Sequence, residues 1–197
     1  MSKEEIKKSV KDFLDTLEKE GLLLPSIDKN SLLHLKEILD FKAEDHQVLN
    51  QILDSYKKGA MPIPRDSFNT FFIFYVLDSF IFNVEFALKI LKTVLDPVKI
   101  IGKFNPRTPY GFLIDRVADT MSLSRIQRDQ LKELFFVDLR NAIAHMDFEM
   151  DHHSFSYKNT KDQRITYTIE KLPDLMFEYK ELADALFEFL KAHTEKD

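Results

Sequence analysis

The stretch FFVDLRNAIAHMDFEMDHH, residues 135–153, gathers residue types from which chemistry can be made. It holds three of the six histidines, His145, His152 and His153, beside Arg140, Asn141, Asp147, Glu149 and Asp151. Three readings compete: a metal site, a catalytic centre, and a helix end running into a polar strand. On a strand the side chains alternate, so Asp147, Glu149, Asp151 and His153 would share one face. Ligands crowded on one exposed strand edge rarely close a coordination sphere alone. The expectation is therefore a solvent face, with no metal.

Arg140, Asn141 and His145 read differently. At about 100° per residue, Phe135, Phe136, Leu139, Ala142 and Ile143 fall on one arc, the core face of a helix. Asn141 and His145 fall about 100° and 140° from Arg140, on the other side. Leu134, Val137 and Ala144 share that second face. A mixture of Arg, Asn and His with small and apolar residues differs from a purely solvated face and suits a partner subunit or a ligand. Each residue also has a plain account. Arg140 can pair with Asp138 or another acid, Asn141 can cap or bridge, and a His is electrostatically favoured near a helix C-terminus.

LRNAIAH (139–145) resembles the signature of the HEPN superfamily: an Arg, four to six residues and a His, with Asn favoured after the Arg. The likeness covers about residues 66–192, with helices before the motif and a short hairpin and closing helix after it. It implies metal-independent RNA cleavage, with no cofactor, by a homodimer whose motif helices face each other across a composite cleft. Arg140, Asn141 and His145 would then be the catalytic residues. The RNA 2′-hydroxyl attacks the adjacent phosphorus; His145 moves the proton as general base or acid. Arg140 holds the phosphate, and Asn141 orients either group. The expected product end is a 2′,3′-cyclic phosphate, and the expected setting is defence or stress response. Members of the same superfamily serve as adaptors or regulators, so a non-catalytic protein with a regulatory partner is the second expectation. One departure concerns the toxins encoded beside a minimal nucleotidyltransferase. They commonly carry a Tyr two residues after the His, where this chain has Asp147, which puts that subtype in question.

Other chemistries are bounded by composition. There is no Cys, which excludes disulfides, thiolate nucleophiles and Cys-ligated zinc. The four glycines, at 21, 59, 102 and 111, form no phosphate-cradling loop. The net charge of −5 does not advertise a nucleic-acid binder, yet residues 98–132 hold seven basic residues against three acidic ones. Within that region KFNPRTPYG (103–111) interleaves Lys103, Arg107 and Tyr110, a combination that could grip and stack single-stranded RNA. A plain connection between helices is the alternative.

The elements that must position these residues follow from period and punctuation. At 197 residues, with 44% hydrophobic and 31% charged residues, the chain can bury a proper core. Residues 2–20 read as an amphipathic helix with Ile6, Val10, Phe13, Leu14 and Leu17 inward, stopped by Gly21. Pro25 precedes a second helical stretch to about Lys58, with a break expected near 41–45. The first sixty residues thus form a helical extension, packed on or part of the main domain. FNTFFIFYVLDSFIFNVEFALKILKTVL (68–95) is the greasiest stretch, yet it carries Asp78, Asn83, Glu85 and Lys89. It is expected to be a buried central helix rather than a membrane span. Phe112–Met121 reads as a short helix. Ser124 and Gln127 have capping-box spacing, so one helix is expected from there to about Met146. Residues 146–151 and 164–169 alternate and look like two strands of one hairpin around YKNTKDQ. A last helix covers about 173–191. The expected class is mainly α, an antiparallel helical bundle with one β-hairpin before the last helix. MSKEEIKKSVKDF lacks the apolar core of a secretory signal, so a cytoplasmic location is expected.

Overall fold

A computed structural model describes residues 2–101, 104, 105 and 107–194, excepting the side chains of Phe41, Asp45 and His46. Helix α1 (Lys3–Lys19) opens on a capping box in which Ser2 and Glu5 satisfy each other's backbone N–H. It buries the five residues that its spacing points inward: Ile6, Val10, Phe13, Leu14 and Leu17. Gly21, at φ +67°, ends it, and the Leu22 N–H reaches back 2.9 Å to the Leu17 carbonyl. Lys3 Nζ of α1 lies 2.6 Å from the buried Glu181 carboxylate and ties the first helix to the last. The residues of α1 join the same core as the rest of the chain, and the Phe13 ring meets Phe135 edge-on at 5.4 Å.

Helix α2 (Lys29–Lys57) is continuous through the expected break at 41–45. Nothing in 41–45 is a Pro or Gly, so an interruption of the apolar pattern there does not end the helix. It lies along α3 (Arg65–Val94), with Lys89 Nζ 2.8 Å from His34 and the Tyr56 ring stacked on Phe68 at 3.6 Å. By length and composition α3 could cross a membrane, but 56% of its most apolar window is buried inside the bundle. It packs chiefly on α7 (Leu172–Thr194), where the Phe80 and Tyr179 rings meet edge-on at 5.4 Å. It is the core helix, and it brings Asp78, Glu85 and Lys89 to one side, where Asp78 meets Lys42 and Lys89 meets His34 of α2.

The segment expected to be one helix from Ser124 to Met146 is two. Helix α5 (Arg125–Leu134) starts on the Ser124–Gln127 capping box and stops at Phe135; α6 (Val137–Ala144) follows. Between them Phe136 adopts a left-handed conformation, φ +51°. The cause lies in α4 (Tyr110–Thr120), whose buried Tyr110 hydroxyl donates to the Phe135 carbonyl at 2.6 Å. A carbonyl captured from the side no longer needs its helical partner, and burial of Phe136 against Phe80 fixes the turn. A wheel drawn through one helix therefore misplaces two residues: Val137 and Leu134, set on the polar side, are both buried.

The expected hairpin is a three-stranded antiparallel sheet. Strand β1 (Phe148–Met150) pairs with β2 (Ser154–Lys158), and β2 with β3 (Arg164–Thr168). The SFSYK segment that forms the middle strand escaped the sequence reading, since its inward Phe155 and Tyr157 alternate with small hydroxyl residues. Asp151 makes the first turn, accepting from the His153 and Ser154 N–H groups at 2.7 Å each. Phe148, Phe155, Tyr157 and Tyr167 cover the core side; Glu149, Ser156, Arg164 and Thr166 lie on the other.

Candidate active site

Helix α6 places the three motif residues on two flanks of one short element. The Arg140 guanidinium turns towards α3, where Nε and Nη2 donate to a single oxygen of Glu85 at 2.9 and 2.7 Å. Its third arm, Nη1, reaches the Asn141 side-chain oxygen at 3.4 Å. Arg140 thus has the acidic partner that a plain reading anticipates, but the partner is Glu85 and not Asp138. Lys92 stands two turns beyond Glu85 on α3, donating to the Thr108 carbonyl at 2.7 Å; burial holds its ammonium below the usual range, against the pull of Glu85.

His145 is the C-terminal cap of α6 and is exposed. Two reverse hydrogen bonds end the helix there: Met146 N–H to the Ile143 carbonyl, 3.1 Å, and Asp147 N–H to the Ala142 carbonyl, 2.7 Å. They hold Met146 in a left-handed turn, φ +56°, where glycine is the usual occupant. Beyond it the chain enters β1, so His145 stands between the end of α6 and the end of β2. A cleft of about 260 Å³ lies beside it, walled by Asn141, His145, Asp147, Lys158 and Thr160. Asn141 is the residue that joins the set, touching Arg140 on one side and sharing the cleft with His145 on the other. No hydrogen bond links Arg140 directly to His145.

Asp147 also lines this cleft, but Lys158 faces it. Lys158 is paired with Asp162 at 2.9 Å, and its ammonium is held above the usual range mainly by that hydrogen bond, with a smaller contribution from Asp147. Sequence reasoning did not single out Glu85 or Lys158. Glu85 is one of two acids, with Asp78, in the apolar stretch 68–95, and an acid at the middle of so apolar a helix is the signal that points to it. Lys158 lies in YKNTKDQ, whose polar residues read as a loop in the sequence, whereas pairing of Ser154–Lys158 with strands on both sides makes it the end of β2.

The remaining candidates separate. Tyr110 does not stack on anything outside: it is fully buried, and burial, reinforced by Glu85, keeps its phenol well above the usual range. Its hydroxyl holds the α5–α6 turn, which makes it a support for the site. Arg107 is exposed in a tight turn closed by Asn105 and Thr108, and Lys103 lies outside the described residues. The exposed ring near Arg107 is Phe112, with the Arg116 guanidinium 4.0 Å over its face. The histidines of the strand do not converge. His152 Nδ1 contacts the Thr70 hydroxyl at 2.8 Å, Asp151 is occupied by its turn, and Glu149 pairs with Arg164 at 2.6 Å. Among the described residues no group of three His, Asp or Glu side chains is placed to hold a metal ion.

No protein-family model matches this chain, and no curated protein or solved structure matches it.

Proposed function

We propose that the chain is a metal-independent endoribonuclease of HEPN type, acting on RNA in the cytoplasm as a homodimer. The observation that carries the reading is the grouping at α6: an exposed His145 beside an open cleft, with Asn141 bridging from that cleft to Arg140. In this reading His145 takes the proton from the 2′-hydroxyl or returns one to the leaving 5′-oxygen. The bond from phosphorus to the 5′-oxygen breaks as the 2′-oxygen bond forms, leaving a 2′,3′-cyclic phosphate and a 5′-hydroxyl. Arg140 neutralises the phosphoryl oxygens, and a second copy of α6 supplies the opposing set. On α3, Phe71 and Phe74 lie on the same side as Glu85 at about 100° per residue, beyond the point where Asp78 meets Lys42 of α2, and their rings offer a small apolar patch for a facing subunit. Phe71 is 43% exposed and Phe74 51%. Defence or stress response is the setting this activity suits.

One observation favours a second reading, a non-catalytic HEPN-like regulator. Arg140 is already held by Glu85 through two donors, so an arginine without any phosphate duty would look the same. RNA incubated with the purified protein in excess EDTA separates the two. The nuclease reading expects cleavage with cyclic-phosphate ends that disappears in Arg140→Ala and His145→Ala while both variants keep their thermal midpoints within a few degrees. Cleavage that persists in both variants would remove the site assignment, and the absence of cleavage across structured and unstructured RNAs would leave the regulator.

A further inference from the structure

The loop before α4 and the first turns of that helix frame a pocket of about 380 Å³, with Phe104, Asn105, Arg107, Phe112 and Arg116 in its walls. Among the described residues no carboxylate lines it, in a chain whose net charge is −5. Its charges are two guanidinium groups, and neither has an acidic partner among the described residues. The acids nearest to Arg116 in sequence are engaged elsewhere: Asp115 meets Lys132 at 2.8 Å, and Asp119 pairs with Arg128. Arg116 instead lays its guanidinium over the Phe112 ring, 4.0 Å from the ring centre, and Phe112 is 51% exposed.

The turn that carries Arg107 is fastened from within. The Arg107 N–H donates to the Asn105 side chain at 2.8 Å, and the Asn105 N–H to the Thr108 hydroxyl at 2.9 Å. Thr108 is buried, and its carbonyl accepts from Lys92 of α3 at 2.7 Å. The pocket also adjoins the motif helix: on Gly111, the residue before Phe112, a Cβ would lie 3.7 Å from the Asn141 amide nitrogen. Two cations without a counter-charge attract an anion, and a guanidinium suits phosphate because its planar fork meets two oxygens at once. An exposed ring backed by a guanidinium offers a plane on which another flat ring can stack. Phosphate and a flat ring together describe a nucleotide. A duplex keeps its bases stacked on one another, so the pocket suits a single strand.

We propose that this pocket binds one nucleotide of single-stranded RNA, with its phosphate paired to Arg107 and Arg116 and its base against Phe112. The choice of RNA as occupant rests on the nuclease reading above; binding at this pocket does not require cleavage. A phosphotyrosine peptide also joins a phosphate to an aromatic ring, and it serves as the competing ligand in the test.

Fluorescence anisotropy with a short, 2′-deoxy-substituted single strand, which a 2′-hydroxyl mechanism cannot cut, measures the affinity of the full chain in excess EDTA. Phe112→Ala is expected to weaken binding about tenfold, the worth of one stacked base, and to leave its salt dependence in place. Arg107→Ala and Arg116→Ala are each expected to weaken it and to reduce the slope of log affinity against log salt by about 0.7, one phosphate contact on a single strand. A duplex of the same sequence binds more weakly. Phe112 and Arg107 are both exposed, so these two variants are expected to keep the thermal midpoint, and each reports on the pocket independently of the other. The proposal is overturned if the strand does not bind, if affinity and slope are unchanged in Phe112→Ala and Arg107→Ala, or if the duplex binds equally well. A phosphotyrosine peptide that binds more tightly than the strand overturns it too. RNA cleavage that depends on His145, with strand binding unaltered by these variants, removes this pocket and spares the nuclease reading. The expected binding pattern without cleavage of any RNA does the reverse.

Discussion

Arg140 stands between two negative charges that compete for it: the Glu85 carboxylate now 2.7 Å away, and the phosphate that the proposed reaction would bring. The pair is partly open to solvent, with 21% of the Arg140 side chain and 40% of Glu85 exposed, so its worth to the fold is at most about 1 kcal/mol. That is small enough for a substrate to displace. Glu85→Gln is therefore expected to lower stability by less than about 1 kcal/mol while tightening binding of an uncleavable, 2′-deoxy-substituted RNA several-fold. Fluorescence anisotropy at low salt measures the affinity, and added salt should shrink the difference between the two proteins. A weaker complex in Glu85→Gln would instead assign Glu85 to orienting Arg140. At this scale the types of Arg140, Asn141 and His145 were legible in the chain. Their partners were not, because Glu85 is 55 positions away from Arg140 and no local pattern links the two.

At the scale of elements, the site depends on α5 and α6 being two helices. The Tyr110 hydroxyl removes the Phe135 carbonyl from the helical ladder, Phe136 turns left-handed, and α6 starts afresh with Phe136 as its cap. The consequence is that α6 presents Arg140 and Asn141 at a half-buried position while Val137 goes into the core. Tyr110→Phe keeps the ring and leaves that buried carbonyl unpaired, which costs about 1–3 kcal/mol. Thermal unfolding is expected to show a lower midpoint. Faster amide exchange at 135–140 would tie the loss to the turn, whereas an unchanged midpoint and unchanged exchange would show that the bond does not hold the break. Gly111, on the same α4, explains how the helices come so close: a Cβ there would meet Val137 Cγ1 at 3.3 Å and the Asn141 amide at 3.7 Å. Tyr110 and Gly111 looked like parts of an RNA-gripping loop because Pro, Gly and aromatic residues cluster there. The same residue types also serve tight packing at a helix start.

Across the whole molecule, charge ties the sheet to the bundle. Asp129 is held below the usual range mainly by its hydrogen bond to Lys161, and Asp151 by the His153 and Ser154 amides. Asp162 is held down by Lys158, and Glu170 by Thr168. Each of these carboxylates favours the folded state while ionised. That contribution is complete above the ordinary carboxylate range and is lost as pH falls through the depressed folded values, below about pH 4. All four belong to the sheet or touch its loops. Acidification is therefore expected to loosen residues 148–168 before the helical core. Hydrogen exchange between pH 5 and 3 should show strand amides losing protection while those of α3 and α7 keep theirs, and a simultaneous loss would contradict it.

The sequence by itself determined the helices, their caps and the buried stripes, since a 3.6-residue period and residues such as Ser2, Ser124 and Gly21 act within a few positions. It also set the chemical types gathered in LRNAIAH. Only the tertiary structure decided that a buried hydroxyl from α4 splits the motif helix from the one before it. Likewise it decided that the strand pairing with β3 is SFSYK, that Tyr110 faces inward, and that Arg140 meets Glu85. These outcomes rest on contacts between residues far apart in the chain. They are settled by which groups can be buried together with their hydrogen bonds satisfied.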